Sequence, residues 1–470
     1  MAIATVDPAT GRTLATFPPL DAQGVEERLR RAAEAFEQYR TSPFDHRAQL
    51  LRRAADRLTA DREKVAATMV TEMGKPLVQA RAEVDKCAKS MHWFADHAAG
   101  LLADQIPDAA DVADSGAAGV RVRFRPLGPV LAVMPWNFPL WQVIRAAAPA
   151  LMAGDVLLLK HASNVPRTAL YLQELFAHAG YEAGCFQTLL IASGQVAEVI
   201  RDDRVAAVTL TGSEGAGQSV ATVAGEQLKK CVLELGGSDP FLVLPSADVA
   251  KAAQVAVRAR VQNNGQSCIA AKRFIVHEAV FAEFERAFVE GMRALRVGNP
   301  MDEHTDVGPL ATEQGRDELE EQVEDARGKG ARVLCGGRRP EGLAEGLGEG
   351  WFYEPTVLTD IDPAMRVHHE ECFGPVATLY RAADLAEAVA IANDTPYGLS
   401  SNAWTRDPGE QGVLARDLQA GGVYFNGMTA SHPAFPFGGI KRSGYGRELD
   451  GLGIREFTNP TTLWYGPEDS

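Results

Sequence analysis

The chain reads as an α/β protein of two doubly wound, Rossmann-like domains with a small β element beside them, and three observations carry that reading. At 470 residues it exceeds the roughly 250–300 at which a single hydrophobic core stops growing. Short apolar runs, Val130–Val133, Val156–Leu159, Phe186–Leu190 and Ala206–Thr209, alternate with helical stretches, as β-α-β units around a parallel sheet require. The alternation then recurs from Pro240 to about residue 440, with Phe241-Leu242-Val243-Leu244 and Phe274-Ile275-Val276 as further apolar runs.

In chain order, residues 26–104 are rich in Ala, Leu, Arg and Glu, and Leu29, Ala32, Ala33 and Phe36 fall at three-to-four spacing, which predicts amphipathic helices. Pro43 and Gly74-Lys75-Pro76 divide them. Residues 105–126 pass from a loose Asp/Ala/Gly stretch into Val120-Arg121-Val122-Arg123-Phe124-Arg125, whose alternation predicts a strand with one solvated face, read as part of a hairpin. The first α/β domain takes residues 1–104 and 127–236, the chain crosses over near 235–240, and the second domain takes 237–445. The tail, 446–470, contains the β-prone run Ile454–Tyr465, an aggregation hazard unless it is paired. Segments 105–126 and 446–470 therefore make up the small β element.

Composition narrows the function. Hydrophobic residues at 46% and charged residues at 23% are ordinary for a globular protein, and no run supplies the ~18 uninterrupted apolar residues of a membrane span. The first residues, Met1-Ala2-Ile3-Ala4-Thr5-Val6, lack the basic and apolar regions of a secretion signal, so a cytoplasmic location is expected. A formal charge of −15 disfavours nucleic acid and anionic lipid as partners, since both need clustered Lys and Arg. Six cysteines (87, 185, 231, 268, 335, 372) lie scattered without a C-x-x-C pair or a neighbouring His at metal-ligand spacing. They read as reduced thiols, with no disulfide framework and no metal site.

Three short motifs carry chemistry. Cys268 ends Asn263-Asn264-Gly265-Gln266-Ser267-Cys268, Glu234 precedes Leu235-Gly236-Gly237, and Asn137 lies between Pro135-Trp136 and Phe138-Pro139. A free Cys is usually a small buried hydrophobe. A thiol, a carboxylate and an amide donor together, however, are the parts needed to form and hydrolyse a thioester.

With Glu370-Glu371-Cys372-Phe373-Gly374-Pro375 and Pro436-Phe437-Gly438-Gly439-Ile440-Lys441-Arg442-Ser443-Gly444, these motifs resemble the aldehyde dehydrogenase superfamily in order and spacing, from about residue 5 to 465. The resemblance implies Cys268 as nucleophile, the Asn137 amide and the Cys268 N–H as oxyanion donors, and Glu234 as the group that activates water. Relatives that pass the acyl group to coenzyme A generally lack this glutamate, so a free acid is the expected product. The first α/β domain becomes the cofactor-binding domain and the second the catalytic one. Residues 105–126 and the terminal strand imply a sheet shared between subunits, hence a homodimer or homotetramer.

For the cofactor, Thr211-Gly212-Ser213-Glu214-Gly215-Ala216-Gly217 follows the strand Val205–Leu210 and precedes a helix expected near Ser219. It matches the family's loop against the dinucleotide, with Gly212, Ser213 and Gly217 as contacts. Trp136 lines the adenosine side, Lys160 meets the adenosine ribose, and Glu371 and Phe373 match positions that hold the nicotinamide ribose and ring. At Ser163 a glutamate would repel a 2′-phosphate, whereas a serine leaves Lys160 able to pair with it. NAD or NADP is expected, with NADP accepted.

Lys160-His161-Ala162-Ser163-Asn164-Val165-Pro166 and Met428-Thr429-Ala430-Ser431-His432 look most like the succinate-semialdehyde dehydrogenase branch. Arg145 stands where that branch places an arginine on the substrate carboxylate, a fitting bidentate partner. A second arginine, six residues before the nucleophile, is here Gln262, and Ser431 and His432 are the candidates to compensate. The expected reaction is NAD(P)-dependent oxidation of a small-molecule aldehyde, succinate semialdehyde to succinate. The alternatives are uncharged medium-chain or aromatic aldehydes, with Trp141, Phe435 and Phe437 lining an apolar tunnel, and a non-catalytic structural protein on the same fold.

Overall fold

The structure is a computed structural model that describes residues 3–467. Its first sheet runs Phe186–Thr188, Val156–His161, Pro129–Met134, Ala207–Thr211 and Lys230–Glu234, all parallel. Gly444-Tyr445 closes it, antiparallel to Lys230–Glu234. Every residue of Val156–His161 is buried, as expected of a strand covered on both faces. The chain order reverses between Pro129–Met134 and Ala207–Thr211, the place where open α/β sheets bind ligands. From the carboxyl ends of these two strands emerge Trp136-Asn137 and Gly212-Ser213.

The second sheet runs Arg332–Cys335, Thr356–Thr359, Val376–Ala382, Arg273–His277, Pro240–Val243, Ser401–Trp404 and Val423–Phe425. Only the first of these strands is antiparallel to its neighbour. The chain passes from one sheet to the other between Glu234 and Pro240, where the sequence places the crossing. Helix Trp141–Ala153, buried along its whole length, packs against helix Leu77–Leu101. It stops at Gly154 with φ +102, a left-handed cap that glycine supplies without strain.

Two local expectations need correction, and one element was not foreseen. Ahead of the helices, Ile3–Asp7 and Arg12–Phe17 pair as an antiparallel hairpin. Residues 105–126 fold back on themselves at a single antiparallel bridge, Gln105 with Val122, rather than as a two-stranded hairpin: a short helix, Ala109–Asp114, lies between, and the one strand, Gly119–Pro126, pairs antiparallel with Thr458–Tyr465 along its full length. Its Val120, Val122 and Phe124 offer a single half-buried face, and the matching strand comes from the far end of the chain. The helix expected near Ser219 spans Glu214–Glu226, because Ser213 caps it by accepting from the Ala216 N–H at 3.4 Å. Gly217 is thus inside the helix, where a Cβ would lie 2.7 Å from Leu235 Cδ2. Among the described residues no helix is long and apolar enough to cross a membrane.

Candidate active site

Cys268 is delivered by a strained loop. After helix Val249–Val261, Asn263 (φ 56), Asn264 (φ 58) and Gly265 (φ 74) are successively left-handed, a conformation that persists only when its surroundings over-determine it. They do so here. Asn264 Nδ2 donates to the carbonyls of Gly74 and Pro309 at 2.9 Å each, and its Oδ1 accepts from Gly308 N at 2.8 Å. Asn263 Nδ2 donates to the Asn137 and Gln266 carbonyls at 2.7 and 3.0 Å. A Cβ on Gly265 would sit 2.3 Å from the Gly374 carbonyl oxygen, so the loop rests directly on the backbone beside Phe373.

Buried Lys272 ties the pieces together: its ammonium donates to the carbonyls of Ser267 and Cys268 at 2.7 Å each and pairs with Glu371 at 2.9 Å. Asn137, also buried, donates one amide hydrogen to the Gln266 carbonyl at 3.1 Å, which orients the amide and leaves its second hydrogen for a ligand oxygen.

Glu234 closes its strand at 2% exposure, and among the described residues neither carboxylate oxygen has a hydrogen-bond partner. Burial, then the nearby charge of Glu448, hold its pKa well above the usual carboxylate range, against the pull of Arg145 and Arg447. Burial likewise pushes the Cys268 thiol up to about 12, with Lys272 and Arg145 pulling it back. At rest the thiol holds its proton near neutrality, and burial favours the protonated form of the Glu234 carboxyl.

A cavity of about 270 Å³ adjoins the thiol, lined by Trp136, Asn137, Gly212, Ser213, Glu371 and Phe373 among others. Trp136 and Phe373 meet edge to face at 5.7 Å. Buried Lys160 pairs with no carboxylate among the described residues, and burial lowers its pKa. Ser163 follows in the next turn, its carbonyl accepting from Ala4 N at 3.0 Å. An uncompensated cation, a capped helix start and an aromatic pair fit the phosphates and ring of a nicotinamide dinucleotide. Cys372 instead packs with Leu310, Leu319 and Val376, its thiol raised to about 12 by burial.

Arg145 reaches the site already engaged. Its Nε is in ion-pair contact with Glu448, its Nη2 donates to Thr211 Oγ1 at 3.2 Å, and its guanidinium lies 4.7 Å over the Phe437 ring. The group expected to receive a substrate carboxylate is held by a resident one. Ser431, nearly buried, accepts from Lys86 Nζ at 2.7 Å. His432 Nδ1 accepts from Ala434 N at 3.2 Å and its ring packs 5.5 Å from Phe435, which is 65% exposed. Gln262 Nε2 donates weakly to the Ile269 carbonyl at 3.4 Å. Glu448, Lys272 and Lys86 went unforeseen. Lys272 follows Cys268 closely enough to have been weighed, but nothing local marks the other two.

Comparison with known proteins gives the chain its relatives. The aldehyde dehydrogenase family pattern matches residues 1–463. The chain is 57% identical over 471 residues to a succinate-semialdehyde dehydrogenase [NADP(+)] of Mycobacterium avium, covering 100% of this chain and 98% of that protein. It is 57% identical over 464 residues to succinate-semialdehyde dehydrogenase [NADP(+)] 1 of Mycobacterium tuberculosis, covering 99% and 100%. A crystal structure of succinic semialdehyde dehydrogenase from Streptococcus pyogenes in complex with NADP+ superposes with a TM-score of 0.94 at 35% identity, covering 99% and 100%. The chain belongs to the aldehyde dehydrogenase family.

Proposed function

We propose that the protein oxidises succinate semialdehyde to succinate, with NADP accepted as cofactor, through a thiohemiacetal and then a thioester on Cys268. The observation that supports the chemistry is one cavity lined by Cys268, Asn137 and Leu235-Gly236, the residues that directly follow Glu234, whose carboxylate has no hydrogen-bond partner among the described residues. The substrate and cofactor follow from the relatives at 57% identity, named as succinate-semialdehyde dehydrogenases that use NADP(+), and from Lys160 standing without an acid beside Ser163.

In this reading the Cys268 thiol passes its proton to solvent and the resulting thiolate sulfur bonds to the aldehyde carbon as the carbonyl π bond breaks toward oxygen. The oxygen that becomes negative is received by the second Asn137 hydrogen and the Cys268 N–H. Lys272 holds the loop that carries that N–H. When bound, the dinucleotide supplies the acceptor for the hydride that leaves the thiohemiacetal. Glu234, after losing its own proton, takes one from the water that opens the thioester. Arg145 balances Glu448, so that Glu234 faces one neighbouring carboxylate whose charge is offset. The two-stranded ribbon of Gly119–Pro126 and Thr458–Tyr465, with Trp464 and Tyr465 each about half exposed on its opposite faces, serves a homodimer or homotetramer, and the expected location is the cytoplasm.

The test is absorbance at 340 nm with succinate semialdehyde, hexanal and benzaldehyde, each with NAD and with NADP. Fastest reduction with succinate semialdehyde and turnover with NADP is the expected result. Faster hexanal or benzaldehyde oxidation would overturn the substrate, and a hundredfold preference for NAD would overturn the cofactor.

A further inference from the structure

Helix Leu77–Leu101 carries two groups one turn apart with opposite fates. Glu83 is spent inside the protein: it pairs with Lys75 and accepts from the N–H groups of Leu140 and Trp141 at 2.9 Å each. Lys86 is not. Its ammonium lies 4.0 Å over the Trp141 ring and donates to Ser431 Oγ at 2.7 Å. Among the described residues no carboxylate pairs with it. A half-buried cation with a ring face and a hydroxyl as its partners lacks the anion that would compensate the water it has lost.

Its surroundings locate that lack beside the reaction. Trp141 begins the helix that continues to Arg145, one of the two cations acting on the Cys268 thiol, and Ser431 comes from the loop ahead of Phe437, whose ring lies 4.7 Å under the Arg145 guanidinium. Of the cations near the thiol, Lys272 is paired with Glu371 and Arg145 with Glu448, and Gln262 carries no charge. Lys86 alone of these is uncommitted.

We propose that Lys86, with the Ser431 hydroxyl as second donor and the Trp141 ring as apolar wall, receives the substrate's carboxylate and sets the preference for a carboxylated aldehyde. This assignment rests on the substrate reading given above and names the residues that would enforce it. The groups facing the ammonium are Glu83 and Cys87 on its own helix, Arg145 from the neighbouring helix and Cys268. Burial, with Arg145 adding to it, lowers the Lys86 pKa to about 8, so recognition should weaken as pH rises past that value.

The experiment measures kcat and KM of the full-length enzyme for succinate semialdehyde and for butanal, which has the same chain length and no carboxylate. Wild type is compared with Lys86→Met, which keeps the aliphatic stem, and with Lys86→Arg. A hydrogen-bonded charge contact corresponds to about 10–100-fold in affinity. Lys86→Met should therefore lower the ratio of kcat/KM for succinate semialdehyde over butanal by about that factor, chiefly through KM, and Lys86→Arg should restore most of it. An unchanged ratio in a wild type that prefers succinate semialdehyde overturns the role of Lys86 alone. A wild type that prefers butanal overturns the substrate reading and this role with it. Should the methionine variant fail to fold, the wild-type pH profile decides: KM for succinate semialdehyde rising above about pH 8 while that for butanal stays level supports the assignment, and parallel profiles overturn it.

Discussion

Two glutamates lie equally deep in this protein and are treated in opposite ways. Glu72 accepts from Thr5 Oγ1 at 2.8 Å, from the N–H groups of Arg167 and Thr168 at 2.8 and 3.0 Å, and from Thr168 Oγ1 at 2.7 Å. Those four donors stitch the N-terminal hairpin to helix Pro166–His178. Glu234 has no such donor among the described residues, and its neighbour Glu448 repels it. Burying a carboxylate without partners costs several kcal/mol, and a cost of that kind marks a group kept available for something that arrives later. Burial by itself therefore says little about a carboxylate's role, whereas the count of its donors separates a carboxylate tied into the structure from one left free.

The strongest way to break that comparison is to remove the carboxylate of each in turn. Glu234→Gln should lower steady-state kcat by about 10²–10⁴-fold, the range for loss of a general base. Single-turnover absorbance should still show one burst of reduced cofactor, with the thioester retained on Cys268 and visible by mass spectrometry. Loss of the burst itself would move Glu234 to an earlier step. Asn137→Ala should lower kcat/KM by about 10²–10³-fold and, unlike Glu234→Gln, should reduce the burst rate, which stopped-flow measurement resolves.

Glu72→Gln should act on stability instead, since its amide offers donors where the site already supplies them. Each donor left unmatched costs about 1–3 kcal/mol, so a drop in Tm with kcat little altered is expected. A fall in kcat without loss of Tm would erase the distinction between the two glutamates.

The smallest effect is also the most telling in sign. Folding raises the pKa of Glu234 above its unfolded value, so the folded state holds that proton more tightly. The stability this contributes is present at low pH and is lost as pH rises through the folded value. Denaturant unfolding at pH 9 should consequently find Glu234→Gln more stable than wild type, with the difference shrinking toward pH 4. Activity should run the other way: the Cys268 thiol and the Glu234 carboxyl must both shed protons and both are raised, so kcat should climb from pH 6 to 9.

Much of this was legible in the sequence because it is local. The apolar runs that became Val156–His161 and Arg273–His277, the asparagine between two prolines, and the Gly-Gln-x-Cys turn each announce themselves within a few residues. Glu448 pairing with Arg145, Lys86 reaching Ser431, and Gly119–Pro126 pairing with Thr458–Tyr465 depend on contacts across some 300 residues or more, which no spacing rule encodes. The misplaced start of helix Glu214–Glu226 has a different origin. Glycines at 215 and 217 look like a loop, yet Gly217 is small because Leu235 lies against it.

Gly444-Tyr445, added antiparallel to the edge of the first sheet, ties that edge to a segment about 210 positions further along the chain (444 − 234). Glu448, which pairs with Arg145, belongs to the same segment. A single protease cut ahead of Gly444 would therefore remove an edge strand and the counter-charge of Arg145 together, so the edge of the sheet and the balance of its buried charges stand or fall as one unit.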